Sequence, residues 1–258
     1  MSRILSLSAL AAGALLALTA CGGGGDEAAP ASSSAAATES ASPASGPSES
    51  PSPSAAAASS NASGSEELAA VLATITAPDG TPLTVVPAED LDSVLQQGLQ
   101  ALDGVTATPA ECNAVLESAA ATPQGATYAV GVALAPDGVS TTSVTIVELD
   151  GAEDQMRAKQ QDAQALMETC STFQLEAFGE TVTVESARVE TVNEGAVSQG
   201  STGVLTLPTG QKQNTTTVSA ARGSVSVTAI NQTIDIPTAD VAVLEDLVDQ
   251  VLAAADQR

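Results

Sequence analysis

Between Gly22 and Ser65 the chain has not one large apolar side chain. The stretch is almost entirely Ala, Ser, Pro, Gly and Thr, with scattered acids at Asp26, Glu27, Glu39 and Glu49. Nothing in it can offset the entropy of ordering a backbone, so residues 21–65 are expected to form a disordered tether. Pro43, Pro47, Pro51 and Pro53 stiffen its middle, and a flexible coil of this length reaches roughly 35–40 Å. Folding is therefore left to residues 66–258. About 190 residues suffice for one domain with a sizeable core. Tyr128, Phe173 and Phe178 are its only aromatic residues, so that core must be built from Val, Leu, Ile and Ala.

The amino-terminal segment has a different character. Arg3 supplies a positive charge, and Ile4 to Ala20 is an uncharged apolar run relieved only at Gly13. Leu18-Thr19-Ala20-Cys21 reads as a bacterial lipobox: small, neutral side chains precede a cysteine whose thiol takes a diacylglyceryl group. The run is shorter than the ~20 residues of a membrane span, and four glycines follow Cys21 at once. Residues 1–20 are thus expected to be a secretory signal peptide and Cys21 the lipidation site. Two acyl chains suffice for stable retention. The expected location is the cell membrane, lipid-anchored and facing the periplasm or cell wall.

Charge and composition exclude several functions. Seven Lys and Arg stand against 31 Asp and Glu, a formal net charge of −24. Such a chain repels nucleic acid and anionic membrane surfaces alike. The acids are scattered, which suits solubility and self-repulsion better than a cation site. Histidine is absent, so a Ser-His-Asp triad, a Cys-His pair and a His-ligated zinc are impossible. With so few aromatic faces, stacking on bases or sugars is poorly served. No cofactor and no metal is expected.

Coarse periodicity gives the order of elements. Ser65-Glu66-Glu67 predicts a cap and acidic first turn for a short helix through Leu72. A Pro78-Asp79-Gly80 turn and an extended Leu83–Val86 follow. Pro87 opens a helix to about Ala101 with Leu91, Val94, Leu95, Leu99 and Leu102 on one face. Another short helix after Pro109 carries Cys112, Val115 and Leu116. From Ala126 the period becomes two, with Tyr128, Val130, Val132 and Leu134 on one strand face. A Pro136-Asp137-Gly138 turn leads to a partner strand, Thr142 to Leu149. Gly151 to Cys170 is helical, with Met156, Ala163, Leu166, Met167 and Cys170 at near-helical spacing. Strands are predicted at 173–178, 181–192, 203–207, 215–221 and 224–230. A final helix over 239–254 carries the stripe Val241, Leu244, Leu247, Val248 and Val251. The sum is α+β: a mainly antiparallel sheet packed with helices in a single domain.

With Cys21 committed to lipid, Cys112 and Cys170 remain, and in an exported protein a disulfide between them is the default. The rival is a redox or nucleophilic thiol, which here lacks both a His to activate it and CxxC spacing. The motifs Leu83-Thr84-Val85-Val86-Pro87-Ala88-Glu89-Asp90-Leu91 and Pro109-Ala110-Glu111-Cys112 resemble a family of actinobacterial exported domains. Cys170 after the first hairpin and the terminal amphipathic helix fit as well. The family that the chain resembles is the extracellular sensor domain of mycobacterial receptor Ser/Thr kinases, the PknH-like sensor fold, which also occurs on lipoproteins. The resemblance covers about residues 68–256 and implies an extracytoplasmic sensor-like architecture. The second disulfide and the Trp near the later cysteine, common in that fold, are missing here, so no site residue is carried over.

Carboxylates are the abundant reactive groups. A two-carboxylate hydrolase would need two of Glu176, Glu180 and Glu185 about 5–9 Å apart; solvated strand-face acids are the simpler reading. Asp150-Gly151-Ala152-Glu153-Asp154 offers oxygen ligands without the alternating spacing of an EF-hand. It also starts a helix, where acids are favoured anyway. No catalytic residue is assigned. The leading expectation is a lipid-anchored, non-enzymatic binding or sensor-like domain that captures an unknown ligand in an apolar cleft between sheet and helices. A structural or chaperone-like envelope lipoprotein with a protein partner is the alternative, and an extracellular hydrolase comes third.

Overall fold

The computed structural model describes residues 55–102, 104–120, 125–177 and 179–258. The expected signal peptide, Cys21, the tether up to residue 54 and Phe178 lie outside the described residues, as do the side chains of Val94, Leu95 and Leu99. Among the described residues the first element is helix α1 (Ala55–Leu72), followed by β1 (Thr84–Val85), α2 (Ala88–Leu102) and β2 (Thr106–Thr108). A short 3₁₀ helix (Ala110–Cys112) leads into α3 (Asn113–Ala120). The hairpin β3 (Thr127–Leu134) and β4 (Ser140–Glu148) precedes α4 (Ala152–Cys170). A meander then runs through β5 (Thr172–Ala177), β6 (Glu180–Val189), β7 (Val197–Thr206), β8 (Lys212–Arg222) and β9 (Val225–Ile234), and α5 (Val241–Ala255) ends the fold.

All nine strands join one antiparallel sheet in the order β1-β3-β4-β9-β8-β7-β6-β5-β2. The chain crosses the sheet from the β4 side to the far side through α4, and the meander brings it back to pair β9 with β4. This is the α+β architecture expected from the order of periodicities.

The two faces of the sheet carry separate cores. Val144 lies opposite Ala229, and Ala229 opposite Val218, so these three form a row on one face. That face is covered by Leu68 and Leu72 of α1 and by Leu244, Leu247, Val248, Val251 and Leu252 of α5, each 2% exposed or less. A second row, Phe173–Val184–Leu205, is set by the pairing of β5, β6 and β7. It shares a cluster with Leu116 of α3 and with the Cys112–Cys170 bridge, both of whose cysteines are fully buried. Alternation within β8 shows that the two rows belong to opposite faces: Val218 and Ala220 lie under α5, whereas Ala221 packs with Ala152 and Met156 of α4.

Four sequence expectations change. The first helix begins at Ala55 rather than at Ser65, taking in residues assigned to the tether. Ala55 to Ala58 are the strongest helix formers, and Gly64 lies close against Thr127, where a Cβ would stand 2.9 Å from its methyl. In β3, Leu134 is 60% exposed, while Ala129 and Ala133, on the face not chosen, are buried at 2% and 3%. Small residues let α1 and the segment before β1 approach: a Cβ on Gly131 would lie 3.1 Å from the Leu83 Cβ and 3.6 Å from Leu72 Cδ1 of α1. Strand β6 stops at Val189 because the chain turns toward α5, where the Val192 N–H donates to the Glu245 carboxylate and Asn193 Nδ2 donates to the Glu245 carbonyl and to Asp249. Strand β7 starts at Val197, six residues before the apolar signal at Gly203.

Candidate functional site

The second core does not close completely. Between α3, α4 and the sheet lies a cleft of about 340 Å³, lined by side chains from β5 to β9 and from both helices. Its size falls in the lower part of the range for small-molecule sites. Leu116, Leu166 and Met167 form the roof, and the Phe173–Val184–Leu205 row forms one end of the floor. The disulfide between Cys112 and Cys170 ties the start of α3 to the end of α4, with Cα atoms 5.6 Å apart. It thereby holds the two roofing helices together. Ser186 fastens the same corner: its hydroxyl donates to the Cys170 carbonyl at 3.2 Å.

Along the strands the floor changes from apolar to polar. Register places Ser186 opposite Gly203, and Arg188 opposite Ser201, each pair one step further from the Val184–Leu205 pair. Gln199 is the next inward residue of β7 and lies opposite Ser219. The cleft thus has an apolar end under α3 and the disulfide, and a polar end at Arg188, Ser201 and Gln199. Gly203 sits at the midpoint with ordinary strand geometry, and a Cβ built on it meets only the Glu185 carbonyl, at 3.8 Å.

The carboxylates considered from sequence are not brought together. Glu176, Glu180 and Glu185 are exposed, and none of them lines the cleft. Glu153 and Asp154 lie in the first turn of α4, where both accept from Arg157 at 3.0 and 2.9 Å. The Gly223 N–H donates to the other Glu153 oxygen at 2.7 Å, and this bond, with Arg157 adding to it, holds the Glu153 carboxyl below its ordinary pKa. The segment is a helix start locked to the β8–β9 turn. Among the described residues no group of three acidic or cysteine side chains is arranged to hold a metal, and no helix is long and apolar enough to cross a membrane.

Sequence reasoning placed Val115 and Leu116 on a short helix, Leu166 and Met167 at near-helical spacing and Phe173 at the start of a strand, but missed the polar floor. Arg188, Gln199, Ser201 and Ser219 have no hydrophobic periodicity to mark them. The available signal was Arg188 itself, a rare cation inside an expected strand.

No family model matches the chain, and no curated protein matches it. Solved structures similar to it include the extracellular domain of PknH from Mycobacterium tuberculosis, at 11% identity over 60% of this chain and 78% of that one, with a TM-score of 0.40. An uncharacterized Mycobacterium smegmatis protein is similar at 16% identity, covering 67% and 85% of the two chains, with a TM-score of 0.38. CalU16 from Micromonospora echinospora follows at 13% identity, 52% and 81% coverage and a TM-score of 0.26. At these values the likenesses establish neither a family nor a function.

Proposed function

We propose that this chain is a lipid-anchored, extracytoplasmic, non-enzymatic binding domain that takes a small molecule into the cleft beneath α3 and α4. The observation that supports this reading most directly is the cleft itself: a partly open, mostly apolar space with a few convergent polar groups, the usual form of a ligand site. A domain whose partner was only another protein would need no such space. Anchoring through Cys21 rests on the lipobox, and it predicts that an alkyne analogue of palmitate labels the full chain in cells. The label should vanish in Cys21→Ala; a labelled Cys21→Ala chain would end the lipoprotein reading.

Gly203→Leu tests the cleft. The new side chain starts in ordinary contact with the Glu185 carbonyl, with no clash, at a position that lines the cavity, so the fold should persist while occupancy falls about tenfold or more, the scale of an overpacking penalty. Native mass spectrometry of the full chain from its own envelope should find a small-molecule adduct on the wild type that the variant lacks. Equal adducts on both proteins would place the ligand elsewhere.

A second reading has its own observation. Leu134, Val139, Ile234 and Ile236 are exposed large apolar residues, and the Ile234 N–H donates to the Val139 carbonyl, which brings the β3–β4 turn beside the end of β9. Such a patch suits a structural or chaperone-like lipoprotein that docks on an envelope protein.

A further inference from the structure

We propose that the ligand of this cleft is a single-chain amphiphile with an anionic head, a fatty carboxylate, whose chain lies over the Phe173–Val184–Leu205 row and whose head meets Arg188, Ser201 and Gln199. This rests on the binding reading above and names the ligand class. Three observations carry it. The first is the polarity gradient. Leu205 and Ser201 are four residues apart on β7, about 13 Å along a strand, with the apolar row at one end and the polar trio at the other.

The second is charge. In a chain with 31 acidic residues, no Asp or Glu among the described residues lines the cleft, yet one Arg does. The other described arginines all pair with carboxylates: Arg157 with Glu153 and Asp154, Arg222 with Asp256, and Arg258 with Glu148. Arg188 has no such partner within 4.0 Å among the described residues, although acids are the commonest charged group available. Arg188 is an exposed residue that lines the cleft, and its guanidinium is a planar fork suited to a carboxylate. The net charge of −24 does not prevent anion binding there. Surface acids further away than about 8 Å are largely screened at physiological salt, whereas a contact beside low-dielectric walls is not.

The third is unfilled polar capacity. The side chains of Gln199 and Ser201 make no hydrogen bond within the described residues, whereas nearby Ser186 and Ser219 are satisfied, the latter by Thr228 at 2.9 Å. The hydroxyls of Thr217, opposite Ser201, and Thr215, opposite Gly203, are open too, so the unfilled polar capacity runs from the middle of the floor to Arg188 and stops short of the Phe173–Val184–Leu205 row.

The test uses photoreactive dodecanoate, dodecanol and dodecylamine on the full chain in membranes, with modified peptides mapped after irradiation. Dodecanoate should label α4 and β7 peptides at lower concentration than the other two probes. Arg188→Gln should raise its half-saturating concentration about five- to tenfold and leave dodecanol unchanged, the scale of a partly exposed charge-assisted contact. Gly203→Leu should suppress all three. If the alcohol or the amine labels as well as the acid, or Arg188→Gln changes nothing, the anionic head is wrong while the binding cleft stands. If none of the probes labels the cleft peptides, both readings fall.

Discussion

Cutting the chain after Pro237 should leave a molecule that does not fold. The lost segment includes α5, whose Leu244, Val248 and Val251 are fully buried and whose Leu247 and Leu252 are 2% and 1% exposed. Truncating one buried leucine to alanine costs about 2–5 kcal/mol. Whole domains are stable by only about 5–15 kcal/mol, so removing five such side chains exceeds what the fold has. The loss would spread, because α5 packs on β8, β9 and α1 together. Circular dichroism of the truncated chain should lack a cooperative melt, and Leu247→Ala should melt cooperatively with stability lowered by about 2–5 kcal/mol. A truncated chain that melts like the full one would show that α5 does not cover the sheet.

Replacing Cys112 and Cys170 together by alanine should lower stability by about 4 kcal/mol. The bridge closes a loop with a sequence separation of 58, and the chain-entropy model gives that figure for a loop of this size. The effect should appear in urea as a lower midpoint. It should also appear in the cleft, because the bond holds α3, with Val115 and Leu116, against the end of α4. Photolabelling of α4 peptides should weaken in the same variant even where the protein stays folded. An unchanged midpoint would mean that packing alone keeps the two helices in place.

What the sequence disclosed depended on which residues carried the pattern. The stripe of α5 was legible because large side chains recur at helical spacing, and all but half-buried Val241 are core residues. The first hairpin was legible from its turn and its valines. The packing of Ala129, Gly131 and Ala133 under α1 was not, since a face made of small residues looks like no face at all. Residues 197–202 were missed as strand for a related reason. Their inward side chains, Gln199 and Ser201, line a polar end of the cleft rather than a core, so the apolar alternation that marks a buried strand is absent. The candidate site was therefore least visible where it is most distinctive.

The pairing of β4 with β9 sets the order in which the molecule can be completed. Residues 140–148 lie in the middle of the sheet, but their partners are 225–234. Until the chain has been made almost to its end, β4 has an unpaired row of backbone donors and acceptors, and the β1-β3-β4 portion stands alone. High contact order of this kind slows folding, because a long loop must close before any pairing rewards it. The meander β5 to β9 can assemble locally, each strand beside the last. Helix α5 then has its sheet contacts on β8 and β9, beside the β4–β9 pairing rather than across it. A nascent chain built this way leaves one side of β4 without its partner until residues 225–234 have been made, so the fold cannot be completed while synthesis is under way.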